Sequence, residues 1–156
     1  MSYAFDTSAL SALHRNYYRR RFPTLWEHFD NLVANAEIVS TREVLREIED
    51  SPLENLREWS VNNKELFAIP SAAEGAFVSE IYRVEHFQQN IEKQKLLKGG
   101  KNADPFIIAR AQVSEHAVVT MELFKAGASK IPNICRHFEI PCLTLEGFME
   151  KEEWQF

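Results

Sequence analysis

The sequence predicts an α/β fold: a central parallel twisted sheet of four to five short strands, covered by helices on both faces as a three-layer α/β/α sandwich. Two observations lead there. Apolar runs of four or five residues alternate along the chain with segments whose apolar residues recur at helical spacing, and strands buried on both faces of a parallel sheet read as such runs. One of these runs also passes straight into a helix-start signature, so that a strand feeds directly into a helix. With 156 residues, 45% of them hydrophobic and 26% charged, the chain has the size and composition of one domain with a real core. No internal repeat or low-complexity linker divides it.

"YAF", residues 3 to 5, reads as the first strand, "DTS" as a polar turn, and a helix runs from about Ser8 to the tyrosine pair Tyr17 and Tyr18. "FPTLWEHFDNLVAN" opens with Pro23 and repeats apolar residues at Leu25, Trp26, Phe29, Leu32 and Val33, a helical stripe. "EIVS" at 37 to 40 is a second strand. Ser40 and Glu43 then have capping-box spacing for a helix carrying Val44, Leu45 and Ile48.

"SPLENLREW" continues as another short helix, and "LFAIP" at 66 to 70 is the third strand. Ser71 and Glu74 repeat the capping box before one long helix, marked by Phe77, Val78, Ile81, Val84 and Ile91, that ends near Gly99. "NADPFIIARAQ" starts a helix with Pro105 in its first turn, where a missing N–H costs little. "AVVT" at 117 to 120 is a strand, "IPNICRHF" a helix, "PCLTL" the last strand and "LEGFMEKEEW" the closing helix.

Composition excludes several classes of function. No apolar stretch approaches the roughly 20 residues that cross a bilayer, and the N-terminus lacks the basic-then-apolar pattern of a secretory signal; the expectation is a cytoplasmic protein without a membrane partner. Two cysteines, Cys135 and Cys142, are too few for a disulfide framework and are expected as core thiols. The net charge of -5 argues against nucleic-acid binding by overall positive charge. Local patches remain: "HRNYYRRRF" with Arg15, Arg19, Arg20 and Arg21, and "KQKLLKGGK" with Lys93, Lys95, Lys98 and Lys101.

In a sheet of this kind ligands sit at the carboxyl ends of the strands, and four strand-associated segments place an acid there. Asp6 follows "YAF", Glu43 and Glu47 follow "EIVS", Asp104 opens the helix before "AVVT", and Glu122 lies two residues beyond Thr120. Carboxylates gathered in a low-dielectric cleft repel one another unless a cation neutralises them. Mg²⁺ or Mn²⁺, with their preference for oxygen ligands, point to metal-assisted phosphoryl chemistry. Each acid also has a plainer reading. Asp6 and Asp104 stand where helix caps belong, Glu43 is accounted for by its box with Ser40, Glu49 flanks the apolar stripe as well as Glu47 does, and Glu122 alone is an ordinary loop acid.

Taken in order, "AFDTS", "VSTREVLREI", "NADPFIIARA" and "AVVTME" resemble the pattern of PIN domains: an apolar strand ending in D-T-N or D-T-S, a glutamate in the next helix, an aspartate opening a later one, and an acid after the "vvT" strand. "FPTLWEHF" and "KIPNICRHFEIPCLTLEGFM" are further similar to one PIN-like group, the DUF4411 family, so that the resemblance covers nearly the whole chain. It departs at Thr120-Met121-Glu122, where many PIN domains have T-x-D; glutamate reaches one methylene further.

The resemblance implies a Mg²⁺- or Mn²⁺-dependent ribonuclease of the kind found among VapC-type toxins of toxin–antitoxin pairs. Asp6, Glu47 and Asp104 would be the principal metal-site carboxylates, Glu122 a weaker fourth, and Ser8 and Thr120 hydrogen-bonding support for them. The implied reaction is in-line hydrolysis of an RNA phosphodiester, leaving a 5′-phosphate and a 3′-hydroxyl. Arginines and tyrosines together suit single-stranded RNA, and Arg15 and Arg19, one helical turn apart and nearest Asp6, are the expected RNA contacts; the alternative is a solvated helix end with its tyrosines packed inward.

Other chemistries fit less well. A phosphatase with Asp6 as nucleophile needs an acid two residues on, where Ser8 stands. A zinc site at Cys135, His137 and Cys142 lacks a fourth ligand and finger spacing. The rival class is a PIN-fold module that binds RNA or protein without cutting. Trp154 and Phe156 at the tail would then serve a homodimer or an antitoxin, or else close the core.

Overall fold

The computed structural model describes residues 1–97 and 101–156, with 93–97 given by backbone alone. Lys98 and Gly99, and the side chains of Lys93 and Lys95, lie outside the described residues. The strands are β1 (Tyr3–Phe5), β2 (Ile38–Thr41), β3 (Phe67–Ala68), β4 (Ala117–Val119) and β5 (Cys142–Leu143). They form one sheet in the order β3-β2-β1-β4-β5, parallel at each pairing, as the alternating pattern predicts. The chain builds outward from β1 to β3 on one side, then returns to place β4 and β5 on the other. The strand order thus reverses at β1, the position where a doubly wound sheet opens a crevice at its carboxyl edge.

Around the sheet lie α1 (Thr7–Asn16), α2 (Pro23–Ala34), α3 (Arg42–Ile48), α4 (Glu54–Asn62), α5 (Ala72–Arg83), α6 (Gln88–Leu97), α7 (Asp104–Ser114), α8 (Ile131–His137) and α9 (Leu145–Lys151). β1 is wholly buried, and its side chains divide between the two faces. Tyr3 and Phe5 meet Phe148 of α9 edge to face, and Phe5 also meets Phe29 of α2. The intervening Ala4 leaves room for α7, which packs across β1, β2 and β4 and carries α5 and α8 on its flanks. Among the described residues no helix is long and apolar enough to cross a membrane.

Three expectations are corrected. Ser40 does not cap α3: β2 runs one residue further, Ser40 Oγ donates to the Phe5 carbonyl across the strands at 2.8 Å, and Thr41 is the cap. Glu43 therefore sits outside a capping box and pairs with Arg42 and Arg46. The long helix from Ser71 is broken at Val84, whose extended backbone gives way to a 3-10 turn at Glu85–Phe87 before α6. Burial of Phe87 against Phe138 and a bond from Gln88 Nε2 to the Tyr82 carbonyl hold this break, while Val84 and Phe87 still satisfy helical spacing. Finally, Arg15 and Arg19 do not share a helix. α1 ends at Asn16 because Trp26 Nε1 holds the Tyr17 carbonyl at 2.7 Å in a non-helical backbone.

Candidate active site

Asp6 leaves the carboxyl end of β1 and begins α1. Its backbone still donates to the Val119 carbonyl of β4 at 3.1 Å, which keeps it in the sheet's own register. The carboxylate is 5% exposed and both of its oxygens are engaged: Oδ1 accepts from Ala9 N and Ser8 Oγ, both at 2.8 Å, and Oδ2 from Thr120 Oγ1 at 2.6 Å and from the shared Ser8 Oγ at 2.9 Å. Asp6 is thus a true N-cap, as its position allows. Capping uses only the Ala9 bond; the Ser8 hydroxyl adds to it from the same turn, and the Thr120 bond ties the end of β1 to the end of β4.

The same hydroxyls reach beyond Asp6. Ser8 Oγ accepts from Met121 N at 3.0 Å and Thr120 Oγ1 from Glu122 N at 3.1 Å, so the backbone that carries Glu122 is fixed to the Asp6 cluster. Burial pushes the Asp6 carboxyl up to about 6; the bonds from Thr120, Ala9 and Ser8 oppose that rise, and the charge of Asp104 adds to it.

Asp104 reaches this crevice from the start of α7, which runs back across the sheet toward the foot of β4. It is 4% exposed and is the first helical residue rather than the cap, a position held by Ala103. In place of capping, its Oδ2 accepts from Asn90 Nδ2 at 3.1 Å. Asn90, 2% exposed, also donates to the Ser129 carbonyl and accepts from Asn102 Nδ2 at 2.9 Å. Tyr82 adjoins this network through Asn102, and burial together with the Asp104 charge raises its phenol well above the usual range, so it stays protonated. The break at Val84 is what turns α6 so that Asn90 faces Asp104.

Glu47, half-buried on α3, joins the two aspartate segments. Its carboxylate accepts from Thr7 Oγ1, next to Asp6, at 2.5 Å and from Ala103 N, next to Asp104, at 3.3 Å. Glu49 is exposed, so tertiary contact separates two acids that periodicity leaves equal. Sequence reasoning missed Asn90 and the Thr7 bond to Glu47. The one signal for Asn90 was an amide placed three residues after the apolar Phe87.

Glu122, half-buried after β4, lines a groove with Phe124, Arg136, Cys142 and Thr144. Arg19 lies elsewhere: it makes a two-bond pair with Asp30 at 2.7 and 3.2 Å and stacks over Trp26. Arg15 is exposed at the far end of α1, about 13 Å along the helix from Asp6. Cys135 is buried beside Cys142, which with its own burial raises its thiol. His137 packs against Phe87 and Phe138.

The donor set suits a hard divalent ion. Carboxylate oxygens are what Mg²⁺ and Mn²⁺ prefer, and Mg²⁺ characteristically takes one or two protein carboxylates and keeps its waters. A cation would relieve the repulsion that Asp104 exerts on buried Asp6. Among the described residues no three acid, histidine or cysteine side chains close on one point.

A family model described as a domain of unknown function (DUF4411) matches residues 3–156. The chain belongs to the DUF4411 family. The match spans each acid-bearing segment of the crevice, so the DUF4411 region and the sandwich described above are the same stretch of chain. No curated protein matches this DUF4411 chain.

Proposed function

We propose that this DUF4411 protein is a PIN-like, divalent-metal-dependent endoribonuclease, acting as the toxin of a toxin–antitoxin pair. One observation carries the reading: two aspartates from distant parts of the chain, both about 95% buried, come to the switch point of a parallel sheet, where the charge of Asp104 adds to the cost of ionising Asp6. Buried like charges of this kind destabilise a fold, and are retained where a cation and an anionic substrate offset them.

Asp6 and Asp104, with Glu47 and Glu122 beside them, would hold Mg²⁺ or Mn²⁺. When bound, the ion supplies neutralisation of phosphodiester charge and activation of water for in-line displacement. The chain's own part is positional. Ser8 and Thr120 fix both oxygens of Asp6, Asn90 aims Asp104, and Glu47 locks the Asp6 turn to the start of α7. Burial of these groups keeps bulk water from competing for them.

The test is incubation of the protein with single-stranded and structured RNA in Mn²⁺, with and without chelator, beside Asp6→Asn and Asp104→Asn. Expected is cleavage that leaves 5′-phosphate ends, disappears in chelator and falls at least ~10³-fold in either variant. Undiminished cleavage in both variants contradicts the assignment. Tight RNA binding with no cleavage by wild type in any divalent ion would favour a binding module instead.

A further inference from the structure

The groove that begins at Glu122 has a volume of about 460 Å³ and is lined by Phe124, Arg136 and Ile140. Two of its features go beyond the acid crevice. The Arg136 guanidinium lies 4.7 Å from the centroid of the Phe124 ring, and no salt bridge of the described residues engages it. Phe124 is 49% exposed, beside Leu123 at 65%. An aromatic ring half open to water, with a planar cation held over it, is the pairing that stacks an unpaired base and binds its phosphate. The segment 121–137 carries Lys125, Lys130 and Arg136 against one acid, Glu122, a local positive balance within a chain of net negative charge.

The geometry points to a nucleotide subsite here: Phe124 stacks a base of single-stranded RNA next to the scissile bond, and Arg136 pairs with that nucleotide's phosphate. It rests on the nuclease reading for the position of the scissile bond, because Glu122, which lines the groove, is tied through its backbone N to Thr120 of the Asp6 cluster. A groove of this size holds one nucleotide with room to spare, and the pre-stacked guanidinium loses less freedom on binding than an unrestrained one. Arg19 has no comparable opening, since Asp30 and Trp26 already occupy it.

The deciding experiment measures binding, not cleavage. Fluorescein-labelled hexauridylate and a hexamer of abasic ribose phosphates are titrated with wild type, Phe124→Leu, Phe124→Tyr and Arg136→Gln, in chelator and again in Ca²⁺. Thermal melting of each variant is recorded alongside. Phe124→Leu is expected to weaken hexauridylate roughly 5- to 150-fold, the range for one lost stacking contact, while leaving the abasic probe unchanged. Phe124→Tyr should bind as wild type does, and Arg136→Gln should weaken both probes. Equal weakening of both probes by Phe124→Leu, no weakening at all, or a wild type that binds neither probe overturns the subsite; a protein partner would then be the better occupant. If the binding pattern holds while Mn²⁺ produces no cleavage, the nuclease reading fails and the subsite stands.

Discussion

Thr120 Oγ1 donates to Asp6 Oδ2 at 2.6 Å while accepting from Glu122 N, so one buried hydroxyl joins the end of β1 to the loop that carries the last acid. Thr120 is fully buried, and the Asp6 carboxylate it serves is buried as well. Thr120→Val keeps the volume and removes both bonds. It should destabilise the fold by about 1–3 kcal/mol and slow RNA cleavage roughly 10- to 100-fold, as loss of a supporting bond to a metal-site ligand does. Thr120→Ser, which keeps the hydroxyl, should recover most of both; chemical denaturation and initial rates measure the two effects.

Asn90 plays the corresponding part for Asp104. Asn90→Leu leaves the Asp104 carboxylate, the Ser129 carbonyl and the Asn102 amide each short of a partner. The expected cost is again about 1–3 kcal/mol. Because the amide orients a carboxylate and does not touch substrate, kcat should fall roughly 10- to 100-fold with KM nearly unchanged. A KM effect of equal size would place Asn90 in substrate binding instead.

Two buried groups give opposite pH dependences that nearly cancel. The Asp6 carboxyl is raised from 3.8 to about 6 by burial. Between those values the folded state holds a proton that the unfolded chain has lost, so stability falls as pH rises. His14, buried between Trp26 and Trp59 with Nδ1 donating to the Leu10 carbonyl, is lowered from 6.5 to about 4 by burial. There the unfolded chain binds the extra proton, and stability rises as pH climbs from 4 to 6.5. Each effect is on the order of 3 kcal/mol. In chelator, Asp6→Asn should show stability rising through this window and His14→Phe should show it falling, with wild type between them.

Divalent ion should stabilise the folded protein by binding it preferentially. At a hundredfold excess of Mg²⁺ or Mn²⁺ over Kd the gain is about 2.7 kcal/mol, read as a rise in Tm. Asp104→Asn should show a smaller rise. An equal shift in both proteins would remove Asp104 from the ligand set.

Much of this arrangement is legible in the sequence, and the reason is local. "YAF" and "AVV" can only be fully buried strands, so the acids after them must emerge at one edge, and Asp104 beside Pro105 has to open a helix. What the sequence leaves open is settled by contacts distant in the chain. Glu47 differs from Glu49 only through Thr7 and Ala103, 40 and 56 residues away. Asn90 looks like any polar helical residue until the break at Val84 turns it toward Asp104. The supposed box at Ser40 failed because the Phe5 carbonyl, in a neighbouring strand, was the stronger competitor for its hydroxyl. Arg19 lost its place near Arg15 to an indole bond nine residues beyond Tyr17.

The central claim is that Asp6 and Asp104 serve one hydrolytic centre, and a double-variant cycle on RNA cleavage in Mn²⁺ tests it most directly. Rates are measured for wild type, Asp6→Asn, Asp104→Asn and the double variant, each shown folded by its melting curve. If the two act as a unit, either single change costs nearly everything and the double variant is no slower than the worse single one. Losses that multiply would mean two independent sites, and rates matching wild type in the single variants would mean that neither aspartate takes part.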